Sequence, residues 1–303
     1  MSIRLRRSEL STPGSSEKMI AKAAASAADL VFLDLEDAVA PAQKVAARDT
    51  VVRGLRELDW GKKLRAVRVN DAQTEWAHDD VVSVIEGAGE HIDLLILPKV
   101  KAPRDVWFFE TLLEQLEKKL RLKKPIALEA LIEETEALSR VEEIAGCSRR
   151  LEALILGFGD LSASQGMRSG LVGDGAERYP GDIWHFARAR MIVACRAHGL
   201  DAIDGPFANF KDPEGYRREA TWAAMLGAVG KWAIHPSQID IANDVFAPTQ
   251  TEIARARAMY EAYRAAEQSG AGAAGTGGVL VDAAAVRIFE GVLERAKLSG
   301  RSS

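Results

Sequence analysis

The sequence predicts an α/β fold, a (β/α)8 (TIM) barrel with a C-terminal helical lid extension. Short apolar runs such as Val31–Asp34 (VFLD) and Leu94–Lys99 (LLILPK) alternate with longer amphipathic segments along most of the chain. This alternation is typical of a parallel sheet covered by helices. No glycine-rich GxGxxG turn follows a predicted strand, which favours a closed barrel over an open dinucleotide-binding sheet.

Eight strands are predicted, and each is followed by a segment with helical periodicity. The first and weakest is Ile3–Ser8, and the others are Val31–Asp34, Leu64–Asn70, Leu94–Lys99, Ile126–Glu133, Leu154–Gly159, Ala202–Gly205 and Trp232–His235. Several helical segments begin at Asp or Pro, which is a common start signal. Because a barrel gathers the carboxyl ends of its strands round one mouth, polar residues that end different strands are expected to share one site.

The chain is predicted to divide at Pro248 into two regions. Residues 1–248 form the catalytic barrel, and residues 249–303 form the lid extension. The extension starts with an amphipathic helix at Gln250–Ala266, passes through the glycine-rich Gly270–Gly278 and ends in a helix at Ala283–Ala296. A glycine-rich segment before an ordered element is typical of a lid hinge and also of a plain surface connector.

Composition limits the class of protein. The 303 residues carry a net charge of −4 and are 47% hydrophobic, which is ordinary for a globular protein and gives no sign of a nucleic-acid-binding surface. Neither a membrane-length apolar run nor a signal-peptide pattern is present. The two cysteines, Cys147 and Cys195, lack metal-type spacing and are expected to be reduced. We therefore expect a cytoplasmic protein with no membrane or nucleic-acid partner.

Charged residues end the second and third predicted strands. Asp34 and Glu36 share one face by alternation, Asp37 follows them, and Arg68 lies in VRVN. The carboxylates either contact substrate at the barrel mouth, as we expect for Glu36 and Asp37, or have a structural role such as capping the next helix or pairing with an arginine. A buried arginine needs an anion, so Arg68 holds a substrate carboxylate or developing enolate, pairs with Asp34 or Glu36, or does both.

Two more carboxylates, Glu133 and Asp160, end later predicted strands. Such oxygen donors suit Mg²⁺, which retains waters and accepts substrate oxygens in its remaining positions. Glu134 and Glu136 compete with Glu133 for this role, and helix capping is the alternative for both residues of the pair. His235, at the end of the last predicted strand, is interpreted as a hydrogen-bonded structural residue.

Nine motifs occur in order along the chain: RSELSTPG (Arg7–Gly14), DLEDAV (Asp34–Val39), Lys44 with AAR (Ala46–Arg48), VRVN (Val67–Asn70), LPKV (Leu97–Val100), EEIAG (Glu142–Gly146), GFGDL (Gly157–Leu161), IHPSQI (Ile234–Ile239) and FAPT (Phe246–Thr249). Together they resemble the citrate lyase beta-subunit family, which includes citryl-CoA, malyl-CoA and citramalyl-CoA lyases. The segments GDLSASQGMRSG and GPFANFKD are more similar to the malyl-CoA lyase branch than to the citryl-CoA branch.

The resemblance implies a Mg²⁺-dependent carbon–carbon lyase. It would cleave a 3-hydroxyacyl-CoA such as malyl-CoA, beta-methylmalyl-CoA or citramalyl-CoA into an acyl-CoA and glyoxylate or pyruvate. In the reverse direction it would form the 3-hydroxyacyl-CoA from these two molecules. It also implies that Glu133 and Asp160 bind Mg²⁺, with Mn²⁺ as a substitute, and that Arg68 contacts the substrate carboxylate or carbonyl oxygen.

The same resemblance assigns three further residues and an assembly. Arg7 and Lys18 would lie near the substrate or CoA. Asp282 of the lid would act as the acid/base, and a neighbouring subunit of a homo-oligomer, a trimer or hexamer, would supply it.

Other activities stay open at this point. Attack of water on the thioester would make the protein a malyl-CoA thioesterase, which is a hydrolase. A citryl-CoA lyase would use the same site on a larger substrate. A class II aldolase acting on free pyruvate would need no CoA, and a histidine such as His235 would then be the base. A non-catalytic subunit of a larger complex would neither bind metal nor turn over substrate.

Overall fold

The structure is a computed structural model that describes residues 4–167, 181–269, 274–276 and 279–301. Eight parallel strands close into a barrel in the order of the sequence, which confirms the predicted (β/α)8 fold. The strands are β1 Ser8–Pro13, β2 Leu30–Asp34, β3 Leu64–Arg68, β4 Leu94–Leu97, β5 Ala127–Ile132, β6 Leu151–Leu156, β7 Asp201–Asp204 and β8 Gly230–Ala233.

Helices follow the strands and cover the barrel. They are α1 Glu17–Ala24, α2 Lys44–Glu57, α3 Ala77–Ala88, α4 Pro103–Leu120, α5 Thr135–Ser139, α6 Val141–Ala145, α7 Phe158–Ser164, α8 His185–His198, α9 Pro213–Leu226 and α10 Ile239–Val245. Short 3-10 helices occupy Pro41–Gln43, Gly89–His91 and Pro236–Gln238.

The barrel interior is apolar over much of its length. Side chains at alternating strand positions pack together there, as the twofold period of a strand requires. They come from all the strands except β1, and they are Leu30, Phe32, Ala66, Leu94, Ile96, Ala127, Leu131, Ala153, Ile155, Ile203 and Trp232. This layer supports the carboxyl ends of the strands from below.

An ionic layer lies towards the amino ends of the strands. The Arg6 guanidinium pairs with Glu129 and lies 2.6 Å from a carboxylate oxygen of Glu152. The Trp232 indole donates to Glu9 at 2.9 Å. Both Glu9 and Glu129 are fully buried. Burial first, and then neighbouring carboxylates, raise the pKa of Glu129 to about 7, although Arg6 opposes the change.

The first strand differs from its prediction. β1 is Ser8–Pro13 rather than Ile3–Ser8, and it pairs with β2 through Glu9 and Leu30 and with β8 through Glu9 and Trp232. Ile3 lies outside the described residues. The prediction was wrong because β1 carries polar residues in the barrel wall, so it lacks the apolar run by which the other strands are recognised.

The chain forms two compact units, Arg6–Asn243 and Asp244–Ser303 with Met1–Leu5. In the second unit, α11 (Gln250–Gln268) begins at a capping box in which Thr249 and Glu252 exchange hydrogen bonds. The strands β9 (Ala274–Thr276) and β10 (Val279–Val281) form an antiparallel pair, and α12 (Ala283–Leu298) follows. Met259 and Val286 are buried between α11 and α12.

The two helices expected in the tail are therefore present. Of the glycine-rich Gly270–Gly278, the structure describes only Ala274–Thr276, and the rest of that expectation lies outside the described residues. The division at Pro248 into catalytic barrel and lid stays a prediction.

Among the described helices, none has the length and apolar character that crossing a membrane would require. Cys147 and Cys195 are both free thiols, as expected.

Candidate active site

Five consecutive strands bring charged side chains to the same end of the barrel. Glu36 follows β2, Arg68 ends β3, Lys99 follows β4, Glu133 follows β5, and Asp160 lies in the first turn of α7 after β6. Because the strands are parallel neighbours, residues at their carboxyl ends meet although they are far apart in sequence. We call these five residues the mouth cluster.

Arg68 is fixed by its contacts with two acidic residues. Its Nε and Nη2 atoms donate to the two carboxylate oxygens of Asp34 at 2.8 and 2.6 Å. Its Nη1 lies 2.9 Å from Oε2 of Glu36, an ion-pair contact whose angle falls short of a hydrogen bond. The guanidinium also lies over the rings of Phe32 and Trp232. Burial lowers the pKa of Arg68, but Asp34 and Glu36 outweigh this and raise it, so the group stays charged.

Asp34 anchors the loop that presents Glu36. It is fully buried and, besides Arg68, accepts from the backbone N–H groups of Glu36 and Ala38 at 2.8 and 3.1 Å. The alternative interpretation of the DLED segment, pairing with an arginine, is therefore realised by Asp34. Glu36 contacts the same arginine and remains at the mouth.

A second set of contacts holds the backbone of this loop. The Lys44 ammonium donates to the carbonyl oxygens of Leu35 and Glu36 at 2.9 and 2.8 Å and to Asn70 at 2.6 Å. Asn70 in turn donates to Asp80 at 2.6 Å. Because these polar groups are satisfied by one another, the loop after β2 is rigidly placed.

Glu133 is buried at the end of β5. Its Oε1 accepts from the backbone N–H of Lys99 at 2.8 Å. Residue 157 has no side chain, and an added Cβ there would lie 2.6 Å from Oε2 of Glu133, so the glycine makes room for this carboxylate. The backbone bond from Gly157 N–H to the Ile132 carbonyl, 3.1 Å, fixes that approach.

Glu133 and Asp160 repel each other. Burial is the largest cause that raises the pKa of Glu133 to about 8, and the Asp160 carboxylate is the second. A cation between two such carboxylates would relieve the repulsion. Within the described ranges, no three Asp, Glu, His or Cys side chains converge as a complete metal cage. The arrangement therefore offers two carboxylate donors and leaves other positions for water or substrate.

Lys99 links the acidic members of the mouth cluster. Its ammonium lies 2.5 Å from Oε1 of Glu36 and 3.4 Å from a carboxylate oxygen of Asp37. Asp37 itself is exposed. Burial lowers the pKa of Lys99, but its hydrogen bond to Glu36 and the other acidic groups outweigh this and raise it.

The two residues assigned to the substrate or CoA lie at opposite ends of the barrel. Arg7 precedes β1, at the amino end of the barrel, and pairs with Asp29 through two bonds of 2.7 and 2.8 Å. The parallel direction of the strands places it opposite the mouth, so the structure does not bring Arg7 to Glu133 and Asp160. Lys18 is exposed in the first turn of α1, on the side where α1 follows the carboxyl end of β1.

Asp282 lies between β10 and α12 in the second unit. It is exposed, and its carboxylate accepts from the backbone N–H of Ala285 at 2.9 Å, as an N-cap residue does.

The competing candidates have other surroundings. Glu136 is exposed in α5, and Glu134 lies 3.9 Å from the Lys101 ammonium. His235 is exposed, stacks on Phe210 and accepts from the backbone N–H of Ser237 at 3.2 Å. These contacts fit the structural interpretation of His235.

Lys99 and Gly157 were given no role from the sequence. Lys99 ends the predicted strand Leu94–Lys99 inside LPKV, so a cation at a strand end was a visible signal, as it was for Arg68. Gly157 had no signal of its own because its contribution is the absence of a side chain beside one particular carboxylate.

Comparisons with known proteins identify relatives in sequence and in structure. The L-malyl-CoA/beta-methylmalyl-CoA lyase of Cereibacter sphaeroides is 42% identical, with 96% of this chain and 95% of the relative covered. A (3S)-malyl-CoA thioesterase of the same species is 36% identical over 91% of this chain and 89% of the relative. The crystal structure of protein CitE from Mycobacterium tuberculosis in complex with magnesium, acetoacetate and coenzyme A has a TM-score of 0.75 at 31% identity, covering 96% of this chain and 97% of that one.

Residues 7–236, which make up nearly the whole barrel, match the sequence model of a single protein family. The match confirms the resemblance seen in the motifs of the sequence. With the relatives above, it shows that the chain belongs to the HpcH/HpaI aldolase/citrate lyase family.

Proposed function

We propose that this protein is a divalent-metal-dependent carbon–carbon lyase that cleaves malyl-CoA or a close 3-hydroxyacyl-CoA into an acyl-CoA and an oxoacid, and that it also runs in the reverse direction. The carrying observation is the juxtaposition of Glu133 and Asp160, two mutually repelling carboxylates, with the permanently charged Arg68 at one barrel mouth. The name of the Cereibacter sphaeroides relative supports the substrate class.

The residues fit a hard divalent cation. Glu133 and Asp160 supply two oxygen donors, and Gly157 leaves the space that the Glu133 carboxylate occupies. Oxygen-only donors with open positions suit Mg²⁺, and Mn²⁺ would fit the same set. When bound, such a cation supplies Lewis acidity towards the oxygen atoms of the substrate.

Arg68 would face the oxoacid end of the substrate. During cleavage, the hydroxyl carbon of the substrate becomes the carbonyl carbon of glyoxylate or pyruvate, and its oxygen carries negative charge on the way. A guanidinium already held by Asp34 and Glu36 needs no rearrangement to stabilise that charge. The same group can also bind the substrate carboxylate with two parallel bonds.

Asp282 is our candidate for the proton-transfer residue. In the cleavage direction, the carbon that leaves as a thioester enolate must receive a proton, and in the condensing direction the same carbon must lose one. A carboxyl group with exposure to solvent can exchange its proton between turnovers. We further propose that a neighbouring subunit of a homo-oligomer, a trimer or hexamer, supplies Asp282 to each barrel, and that the enzyme acts in the cytoplasm.

A thioesterase is the second candidate, because one relative of similar coverage is a (3S)-malyl-CoA thioesterase. The two activities share the acyl-CoA and differ in the bond that breaks. In the lyase, Asp282 protonates carbon, whereas in the hydrolase a water molecule attacks the thioester.

Product analysis separates these activities. Purified protein is incubated with Mg²⁺ and, in turn, malyl-CoA, beta-methylmalyl-CoA, citramalyl-CoA and citryl-CoA, and all products are identified by mass spectrometry. Glyoxylate with acetyl-CoA from malyl-CoA supports the lyase. Malate with free CoA would reject it in favour of the hydrolase. A lack of reaction with every acyl-CoA, together with turnover of free pyruvate aldols, would indicate a CoA-independent aldolase.

A further inference from the structure

Lys99 has an unusual backbone conformation. Its φ angle is 50°, in the left-handed region that residues with a side chain rarely adopt. Among the described residues, Arg121, the C-cap residue that follows α4, is the other non-glycine with positive φ. Left-handed residues at helix ends are common, but Lys99 follows a buried strand at the barrel mouth. Strain of this kind persists where surrounding contacts hold it, and it is frequent at functional sites.

The backbone N–H of Lys99, the residue that adopts this left-handed conformation, donates to Glu133. That bond, 2.8 Å long, occupies Oε1 of the carboxylate. Among the described residues, no hydrogen bond to Oε2 is formed. The backbone of Lys99 thus fixes the orientation of Glu133 and leaves one of its oxygens for a ligand.

The side chain of Lys99 acts on a different carboxylate. Its ammonium lies 2.5 Å from Oε1 of Glu36, while Arg68 faces Oε2 of the same residue at 2.9 Å. The ammonium also reaches Asp37 at 3.4 Å. Both oxygens of Glu36 therefore face cations of the protein.

Glu36 and Glu133 are bridged by a single residue of the mouth cluster. One residue, Lys99, contacts Glu36 through its side chain and Glu133 through its backbone. The negative charge of Glu36 also acts on Glu133 and contributes to its raised pKa. Without the ammonium, Oε1 of Glu36 and the Asp37 carboxylate would lose this cation, while Arg68 would still face Oε2 of Glu36. The released oxygens would then be available to a cation held by Glu133 and Asp160.

The number of carboxylates decides which cation fits. Mg²⁺ demands six near-ideal positions and keeps several waters, so one or two protein carboxylates suit it. Ca²⁺ takes six to eight oxygens in a flexible shell, and additional carboxylates favour it. A site with Glu36 withheld therefore favours the smaller ion.

We propose that Lys99 sets the cation preference of the mouth cluster. Its strained backbone presents Glu133, and its ammonium withholds Glu36 and Asp37 from the metal. Lys99 is a positioning residue in this proposal, which rests on the metal site of the proposed function.

The test compares variants that separate the two roles. Lys99→Asn removes the ammonium but keeps the N–H, and Asn tolerates the left-handed conformation. Lys99→Gly does the same with no strain. Lys99→Arg keeps a cation. Lys99→Val also lacks the ammonium, but its branched side chain opposes the left-handed backbone. Binding of Mg²⁺ and of Ca²⁺ to the metal-free, full-length protein is measured by isothermal titration calorimetry, after thermal unfolding has established that each variant is folded.

We expect the ratio of Ca²⁺ to Mg²⁺ affinity to rise by about tenfold or more in Lys99→Asn and Lys99→Gly, because extra carboxylates join the shell. Lys99→Arg should stay within about threefold of the wild-type ratio, since a cation still faces Glu36. Adding Glu36→Gln to Lys99→Asn should restore most of the preference for Mg²⁺. Lys99→Val should bind both ions more weakly than Lys99→Asn, since Glu133 loses its anchor.

An unchanged Ca²⁺ to Mg²⁺ ratio in folded Lys99→Asn or Lys99→Gly would overturn the role of the ammonium. Equal affinities of Lys99→Val and Lys99→Asn would overturn the role of the backbone. Wild-type protein that binds neither ion would instead reject the metal site of the proposed function, so the two failures are distinguishable.

Discussion

The backbone of Gly157 lies directly against the side chain of Glu133. A Cβ atom at position 157 would lie 2.5 Å from Cβ and 2.6 Å from Oε2 of Glu133, closer than such atoms approach in proteins. The end of β6 therefore carries no side chain where the end of β5 carries its buried carboxylate.

Gly157→Ala should displace the Glu133 carboxylate while the barrel remains folded. The added methyl group would overlap both Cβ and Oε2 of Glu133, so the backbone at this contact and the carboxylate must both shift. We expect the affinity for Mg²⁺ to fall about tenfold and kcat/KM to fall at least as much. Calorimetric titration with Mg²⁺ and steady-state kinetics measure the two effects.

Gly159→Ala is the matched control for this variant. A Cβ at position 159 would meet no atom within 4 Å, and the residue lies two positions further along in α7. The affinity of Gly159→Ala for Mg²⁺ and its kcat/KM should stay near those of the wild type. Equal effects of the two substitutions would mean that helix α7, rather than contact with Glu133, is being perturbed.

Glu133→Gln and Asp160→Asn should each abolish Mg²⁺-dependent turnover. Each substitution keeps the shape of the side chain but removes a negative charge, and we expect kcat/KM to fall by about 10³ or more. Metal binding should be lost in parallel in calorimetry. Glu136→Gln, at an exposed position of α5, serves as the control. Normal turnover by both site variants would reject the metal site.

Arg68→Lys should impair catalysis strongly although the substitution keeps the positive charge. A lysine offers a point charge and cannot make the paired bonds to Asp34 while also facing Glu36. We expect kcat/KM to fall by about 10²–10³, the range seen when one charge-stabilising donor is removed.

Arg7→Lys is the natural comparison, because Arg7 also makes a paired contact, with Asp29, but at the amino end of the barrel. It should lower the free energy of unfolding by about 1 kcal/mol and leave the turnover of folded enzyme unchanged. A large rise in KM for the acyl-CoA would instead support the substrate role that the RSELSTPG motif suggested.

Mixing inactive variants tests whether Asp282 acts across subunits. Asp282→Asn keeps a residue able to cap α12 but removes the acid/base, so kcat should fall while Mg²⁺ still binds. After Asp282→Asn and Glu133→Gln subunits are mixed and reassembled at equal amounts, about a quarter of the sites would combine an intact barrel with an intact lid from a neighbour.

Activity near that fraction supports the lid of a neighbouring subunit. A mixture as inactive as its components, in protein shown by ultracentrifugation to be oligomeric and mixed, would mean that each subunit uses its own Asp282. Unchanged kcat in Asp282→Asn alone would remove it as the acid/base.

Glu129 should make stability depend on pH. Its ordinary pKa of 4.5 is raised to about 7 in the folded chain, first by burial and then by Glu152 and Asp201 against the opposing effect of Arg6. Between these pH values the folded state holds a proton that the unfolded state has released. The stabilisation is therefore complete below pH 4.5 and is lost as pH rises through 7, by on the order of 1–3 kcal/mol.

Glu129→Gln should flatten this decline, because the amide does not titrate. Urea unfolding at several values between pH 5 and pH 8 measures the difference between variant and wild type. Parallel curves for the two proteins would contradict the assignment. Glu9, also buried with its pKa raised by burial, would account for a slope that remains in both.

The strands that could be predicted share one property. Leu94 lies in the barrel interior and its neighbour Leu95 points to the other side of the wall, yet both are buried, so a strand of this kind is almost continuously apolar. β1 breaks this rule because Glu9 faces the interior, where Trp232 and the ionic layer receive it. The sequence does not distinguish a polar residue that is buried against a partner from one that is exposed to solvent, because the partner is brought to it only by the fold.

Part of the candidate site could also be predicted from the sequence. Glu36, Arg68, Glu133 and Asp160 end apolar runs, and a parallel barrel brings such ends together whatever lies between them. The family motifs suggested their roles. The substrate role of Arg7 stays a prediction, and its motif RSELSTPG spans a strand and so contains residues from both ends of the barrel.

The sequence by itself determined the barrel, the family and the carboxylates at the strand ends. The order of apolar and polar residues predicts which segments are buried strands, and the residue types at their ends predict the chemistry. The tertiary structure decided that Asp34 and Glu36 share Arg68, that Lys99 adopts a left-handed turn to meet Glu133, and that Gly157 makes room for it. These relationships depend on the distances in space between residues that are tens of positions apart in the sequence. Such distances are fixed only when the strands close.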